Sequence, residues 1–291
     1  MTGRFHIVKR RAWFFLLSSI ITLAGLVVFT VHGFNLGPDF KSGSRIQLKS
    51  AMSTVQVQRV FAGTGIHVKP QEITYGGSSV HQLTIVRLPE VMDTQQVSQI
   101  KQHWKNTQID TVNPLEAKVM SHKAILAVLF ASVFIMVYVG IRFEFRFAVS
   151  GIVALLHDAF IVMSFFALFR IEINMLFVTA ILTIVGYSIN DTIVIFDRIR
   201  ENLQLTKPET AEQLEQIADV SLRQTMRRSL NTVSTVLIAA FALFFFGGPT
   251  IHNFTMALIV GLISGTYSSI FIASPLWVAW RGHSLKGEPP V

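Results

Sequence analysis

Six runs of apolar residues, each about as long as a bilayer is thick, decide most of what this chain can fold into. They cover roughly 13–31, 123–141, 147–169, 173–196, 227–246 and 253–279. About 20 mostly apolar residues in helical form cross the hydrocarbon core. A chain crossing lipid must satisfy its backbone internally, which at this segment length means helices. Only 14% of the 291 residues are charged and 51% are hydrophobic, against roughly 25% charged in a soluble domain. These features predict a polytopic α-helical membrane protein with six transmembrane helices and argue against a soluble enzyme.

The net charge of +8 raises the question of nucleic acid. The basic residues cluster beside the apolar runs, however, and so read as topology signals; no nucleic-acid partner is expected. The chain has no cysteine, which leaves no disulfide or thiolate chemistry. Arg4, Lys9, Arg10 and Arg11 followed by Trp13–Val31 resemble a signal peptide at first sight. The apolar part is too long for a typical signal core, and His32-Gly33-Phe34 is not a small-residue cleavage site. The reading is a retained helix at 13–32 after a cytoplasmic N-terminus at 1–12.

Lysine and arginine set the orientation. The N-terminus, the turn Arg142–Arg146, the connection 197–226 with Arg200, Lys207 and Arg223, and the tail 281–291 with Arg281 and Lys286 all fall on one side of a six-span chain. The opposite turns, Arg170–Asn174 and Gly247–His252, hold one basic residue between them. Both termini are therefore expected in the cytoplasm, with 33–122 outside it and five helices following in 123–280. A capping box at Thr206-Lys-Pro-Glu209 is expected to start a helix in the connection. Its stripe of Ala211, Leu214, Ile217 and Ala218 would lie against the membrane or the bundle.

Region 33–122 reads as a small α+β domain. Strands are predicted at Arg45–Lys49, His67–Tyr75, His81–Leu88 and Glu116–Met120, with a Gly76–Ser79 turn between the second and third. Helices are predicted at Thr54–Ala62, burying Val57, Val60 and Phe61, and at Asp93–Lys105, burying Val97, Ile100 and Trp104. The order β-α-β-β-α-β is the ferredoxin-like one. No catalytic constellation stands out, and His67, His81 and His103 read as surface histidines. No enzyme activity is expected.

The chemistry lies in the polar residues inside the spans. A charge at mid-bilayer costs at least ~2.5–3.5 kcal/mol, so such residues turn inward and serve a purpose. Asp191, after Asn190, sits roughly 7 Å inside the end of the fourth span. Tyr187 and Ser188 share its side and are placed to hydrogen-bond its carboxyl. Arg228 opens the fifth span, with Gln224, Thr225, Asn231, Thr232 and Thr235 in one polar stripe. At similar depth, the arginine would hold Asp191 ionised, and its withdrawal would let the acid take up a proton. His157-Asp158, near the middle of the third span, is either a second relay position or a hydrogen bond across helices. The competing readings of Asp191 and Arg228 are an interfacial anchor and a snorkelling helix-end arginine. Gly261, Gly265 and Ser269 form a small-residue face for close helix approach. Buried carboxylates that exchange protons, with one sizeable body outside the bilayer, suggest a proton-driven machine whose output is the 33–122 domain.

The residues also resemble a known family. Phe34-Asn-Leu-Gly-Pro-Asp-Phe-Lys-Ser-Gly43 is similar to the FNxGxDFxGG signature of the SecD/SecF family, in the resistance-nodulation-division superfamily, with Ser42 where that signature has glycine. Phe145-Arg-Phe147 with His157-Asp158, GYSINDTIVIFDRIREN from Gly186 to Asn202, Ser221–Leu230 and Gly265–Ala273 follow in the family's order. The resemblance implies a SecF-type subunit of the bacterial inner membrane. Such subunits pair with SecD beside the SecYEG channel and use the proton gradient to aid preprotein movement through extracytoplasmic domain motion. It aligns Asp191 and Arg228 with residues implicated in proton passage. Protons are the coupling ion, with no metal, nucleotide or organic cofactor. Two rival functions remain open: a proton-driven small-molecule or lipid exporter of the same superfamily, and a non-transporting membrane scaffold.

Overall fold

A computed structural model describes residues 7–48, 52–78, 81–104 and 107–287. A 3-10 turn at Val8–Arg10 leads into α1 (Arg11–His32), α2 (Pro38–Lys41), β1 (Gly43–Leu48), α3 (Thr54–Gly63), β2 (Ile73–Ser78), β3 (His81–Leu88), α4 (Thr94–His103), β4 (Thr107–Val112), α5 (Pro114–Arg142), α6 (Phe145–Leu168), α7 (Met175–Leu205), α8 (Ala211–Phe246), α9 (Pro249–Ser268) and α10 (Ser274–Gly287). Among the described residues six helical stretches are long and apolar enough to cross a membrane, the last running through α9, a π-helical turn at Ser269–Ala273 and α10. Arg4, Lys49, Ser79 and Lys105, named in the sequence reading, lie outside the described residues. The chain divides into two compact units: a helical one, residues 7–35, 128–171 and 176–287, and a domain made of 36–127 with 172–175.

The helical unit is held by aromatic and small residues. Phe147 stacks on Trp277 at 4.3 Å and meets Phe196 at 4.7 Å. Gly151 of α6 admits Phe196 and Thr192 of α7 so closely that a Cβ there would touch both at 3.7 Å. Gly261 lies against Ile184, and a side chain there would overlap it, so the small-residue face of the last span does serve close helix approach. The start of α8 packs on this unit, with Leu214 and Ala218 fully buried. The Val8 backbone N–H donates to Asp219 Oδ1 at 3.0 Å, and Arg11 pairs with Glu215 at 2.7 Å.

In the domain, β1 to β4 form one antiparallel sheet in the order β2-β3-β1-β4. Helices α3 and α4 bury Val57, Phe61 and Ile100 with Ile46, Leu48 and Val86. Each helix starts on a capping box, Ser53 with Gln56 and Asp93 with Gln96, which satisfies N–H groups that a helix leaves unpaired. Ser42 takes φ 63° and ψ 170°, a region nearly reserved for glycine that costs a serine about 1–3 kcal/mol. At Gly43, φ is 118° and a Cβ would run into the Leu88 carbonyl.

Four expectations need correction. The last strand is Thr107–Val112, and Glu116–Met120 is helical. Asn113 accepts from the Glu116 N–H at 2.8 Å and Glu116 reaches back to the Asn113 N–H, a capping box that starts α5 there, with Pro114 at its first position. The second strand begins at Ile73, because Lys69–Glu72 forms a 3-10 turn around Pro70, which lacks an N–H to give a ladder. Gly76 to Ser78 are not a turn but remain in the ladder, paired with Leu83 to His81, so the connection falls on 79 and 80, outside the described residues. Finally, the helix after the fourth span is capped by Thr210 with Gln213, not by Thr206 with Glu209. It then runs unbroken into the fifth span.

Candidate functional site

Besides Asp219, which holds the Val8 N–H, two carboxylates are buried in the helical unit, Asp158 and Asp191, and their surroundings differ. Asp158, on α6, is 0% exposed. Ser188 of α7 and Ser268 of α9 donate to its Oδ2 at 2.6 and 2.7 Å, and Ser264 of α9 donates to Oδ1 at 2.7 Å. Three hydroxyls thus stand in for water around one acid and tie three helices together. His157 adds a long contact from Nδ1 at 3.4 Å, and its Nε2 meets the Ser18 hydroxyl of α1. Thr192 and Ser269 exchange a further hydrogen bond at 2.9 Å beside the π-helical turn.

Asp191, on α7, is 8% exposed, and its Oδ2 has no hydrogen-bond partner. The Ser229 hydroxyl of α8 stands beside the carboxylate but closes no hydrogen bond, and it too is buried without a partner. A cavity of about 60 Å³ opens here, lined by Tyr187, Asn190, Asp191 and Val194 of α7 and by Arg228, Ser229, Thr232 and Val233 of α8. That is room enough for water, which needs roughly 10–15 Å³ by this measure and several polar neighbours. Side chains tie α7 to α8 on both sides of the cavity. Tyr187 donates to the Thr232 carbonyl at 3.1 Å, while Arg198 and Asn202 donate to Gln224 Oε1 at 2.6 and 2.9 Å.

The predicted residues therefore sort into two groups. Asp191, Arg228, Tyr187, Asn190 and Thr232 come together around the cavity. His157, Asp158 and Ser188 form the other cluster. Neither Tyr187 nor Ser188 bonds the Asp191 carboxyl: the phenol reaches a backbone carbonyl, and the serine turns to Asp158. Thr225 is buried and bonds back to Ser221 and Leu222 of its own helix. Arg228 is exposed and forms no ion pair among the described residues, so it shares the cavity with Asp191 without a direct contact. Sequence reasoning missed Ser264 and Ser268, whose i, i+4 spacing on one helix face was the available signal. Among the described residues no three His, Cys, Asp or Glu side chains gather as metal ligands would.

On the α8 face, Arg228, Asn231, Thr232 and Thr235 are all exposed in this single chain. Thr232 and Thr235 turn their hydroxyls back to the backbone, to the carbonyls of Arg228 and Thr232. Neither Asn231 nor Arg228 turns its side chain to such a backbone partner among the described residues.

Comparison with known proteins points in one direction. Residues 93–283 match the family described as protein export membrane protein SecD/SecF, C-terminal. A protein translocase subunit SecF of Alicyclobacillus acidocaldarius is 53% identical over 98% of this chain and 96% of its own length. The protein translocase subunit SecDF of Bacillus subtilis is 41% identical, with 98% of this chain covering 39% of that larger protein. Among solved structures, SecDF from Thermus thermophilus, described as a translocon-associated membrane protein, superposes with a TM-score of 0.82 at 29% identity, over 96% of this chain and 39% of that one.

Proposed function

The chain belongs to the SecD/SecF family of protein export membrane proteins, and from that premise we propose that it passes protons at Asp191 to drive domain movement that aids preprotein translocation. It is a SecF-type translocase subunit and a multi-pass membrane protein; the proton step is the new part of this reading. The observation that carries it is a buried acid with one unpartnered oxygen, set on a water-sized cavity that an arginine also lines. Such a carboxylate can take up and release a proton without dismantling a hydrogen-bond network. Each proton crossing ~100 mV releases about 2.3 kcal/mol, which is the work available to the domain.

The reading places the protein in the bacterial cytoplasmic membrane, with both termini in the cytoplasm and the domain outside. The exposed polar stripe Arg228, Asn231, Thr232 and Thr235 supports a partner. Polar groups of this kind are poorly served by lipid, and a SecD-type half would cover them. The fusion of the two halves in the SecDF relatives fits that arrangement. SecYEG and the preprotein are the remaining partners, and the role is transport rather than catalysis, with protons as the only coupling species.

The test is Asp191→Asn, which keeps size and hydrogen-bonding capacity and removes titration. Export of a preprotein into inverted membrane vesicles is measured with and without a proton gradient. The expected outcome is normal assembly with loss of the gradient-dependent part of export. Unchanged gradient dependence would leave the acid a structural residue and favour a scaffold.

A further inference from the structure

Among the buried acids that the proton reading does not use, one lies in the domain. Glu172, in the connection between α6 and α7, is 3% exposed. Each of its oxygens has its own guanidinium: Arg45 of β1 donates to Oε1 at 3.0 Å, and Arg87 of β3 donates to Oε2 at 2.6 Å. Arg45 also bonds Asp110 of β4 at 2.9 Å. Burial works against the charge of Arg45, but Glu172 and Asp110 outweigh it and leave the guanidinium pKa raised above its ordinary value. Breaking one partner of a buried, hydrogen-bonded pair strands the charge of the other, so the clamp holds as a unit.

Two further contacts pin the same short segment. The Gly37 N–H donates to the Ile173 carbonyl at 2.8 Å within a parallel bridge between Leu36 and Ile173. Gly37 is required there, because a Cβ would lie 2.6 Å from Glu172 Oε1. Asp39 Oδ2 accepts from the Met175 N–H at 2.8 Å, which serves a donor at the start of α7 and places negative charge at its positive end. Residues 172–175 accordingly belong to the domain's compact unit, although more than forty residues of α5 and α6 separate them from the rest of it in sequence. Met175 is also the first residue of α7, and Asp191 lies roughly 24 Å further along that helix.

We propose that the Glu172–Arg45–Arg87 clamp is the fixed linkage through which displacement of α7 becomes displacement of the domain. This rests on the proton reading above. Glu172 is a positioning residue: it touches no transported species, and it acts by keeping residues 172–175, which lead into α7, fastened to the sheet. The linkage stays closed throughout the working cycle.

Two manipulations of the full chain, assembled with its partners in membrane vesicles, test this. Glu172→Gln removes the buried anion that two partly buried arginines share. The expected result is normal proton uptake with loss of gradient-driven export, whereas Asp110→Asn, which removes a partly exposed partner of Arg45, leaves export unchanged. In the cysteine-free chain, Leu36→Cys with Ile173→Cys places two thiols across an isolated parallel bridge, and the spacing of about 4.8 Å between chains paired in this way suits a disulfide. Oxidation of this pair is expected to leave export intact and to restore it in the Glu172→Gln background. Normal export by Glu172→Gln, inhibition by the disulfide that a reductant relieves, or failure of the disulfide to rescue would each overturn the proposal. The cross-link alone decides the case if Glu172→Gln does not assemble. Absence of proton uptake by the unmodified chain would instead sink the proton reading and leave the effects of the clamp on export to be judged separately.

Discussion

Asp158 and Asp191 are both aspartates buried in the same helical unit, yet one is saturated with hydrogen bonds and the other is not. Asp158 receives three serine hydroxyls from two neighbouring helices. Asp191 has a free oxygen, an unbonded hydroxyl beside it and a cavity in front of it. Burial alone therefore does not mark a working acid. In lipid a polar group without partners is expensive, and a chain that tolerates one at Asp191 while solving the same problem fully 33 residues earlier has left a site able to change its charge. The saturated acid ties helices together, and the unsaturated one is the acid to which the proposed proton step is assigned.

The contrast is broken most severely by exchanging the roles. Asp191→Asn is expected to abolish gradient-dependent export while thermal unfolding in detergent stays within about 1 kcal/mol of the parent, since no formed hydrogen bond is lost. Asp158→Ala is expected to do the opposite. It removes the acceptor shared by three hydroxyls and leaves a small void, at a cost of about 2–4 kcal/mol. A lowered melting temperature and reduced accumulation in membranes are the readouts. Protein that survives should retain gradient-dependent export in proportion to its amount. An Asp158→Ala protein of full stability, or one assembled but unresponsive to the gradient, would erase the distinction between the two acids.

The sequence made the large divisions legible and the small ones less so. Apolar runs of bilayer length located all six spans, because lipid enforces a pattern that no local interaction overrides. The domain's two helices were readable from their apolar faces, and the strands at Arg45–Lys49 and His81–Leu88 from alternation and the turn residues beside them. Glu116–Met120 was mistaken for a strand because its alternation outweighed Asn113-Pro114 and Glu116, which spell a helix start. Asp191 and Arg228 stood out as charges in apolar surroundings. Their lack of direct contact did not, since a side chain's direction across a cavity leaves no mark on spacing. The Glu172 clamp was invisible for another reason. It joins a five-residue turn to strands more than eighty residues earlier, and a glutamate at a helix-connecting turn looks like any solvated charge. Likewise, the small-residue face was read at Gly261, Gly265 and Ser269, and the neighbouring Ser264 and Ser268, whose hydroxyls donate to Asp158, went unremarked.

The smallest expected effect sharpens the comparison most finely, because Ser188 lies one helical turn before Asp191 and was a natural candidate to serve it. Its hydroxyl instead donates to Asp158 at 2.6 Å. Ser188→Ala removes one of three donors, and a hydroxyl–carboxylate bond between membrane helices is worth about 0.6–1.5 kcal/mol. The loss should be no larger than that, because Ser268 still occupies the same carboxylate oxygen. Measured beside Asp158→Ala, Ser188→Ala should add almost nothing in the double variant, as the acceptor is already gone. The pH dependence of gradient-driven export should be unchanged, since the hydroxyl makes no bond to Asp191. A shift in that profile without a change in stability would mean that Ser188 reaches Asp191 during turnover, and that the two acids exchange a donor rather than working apart.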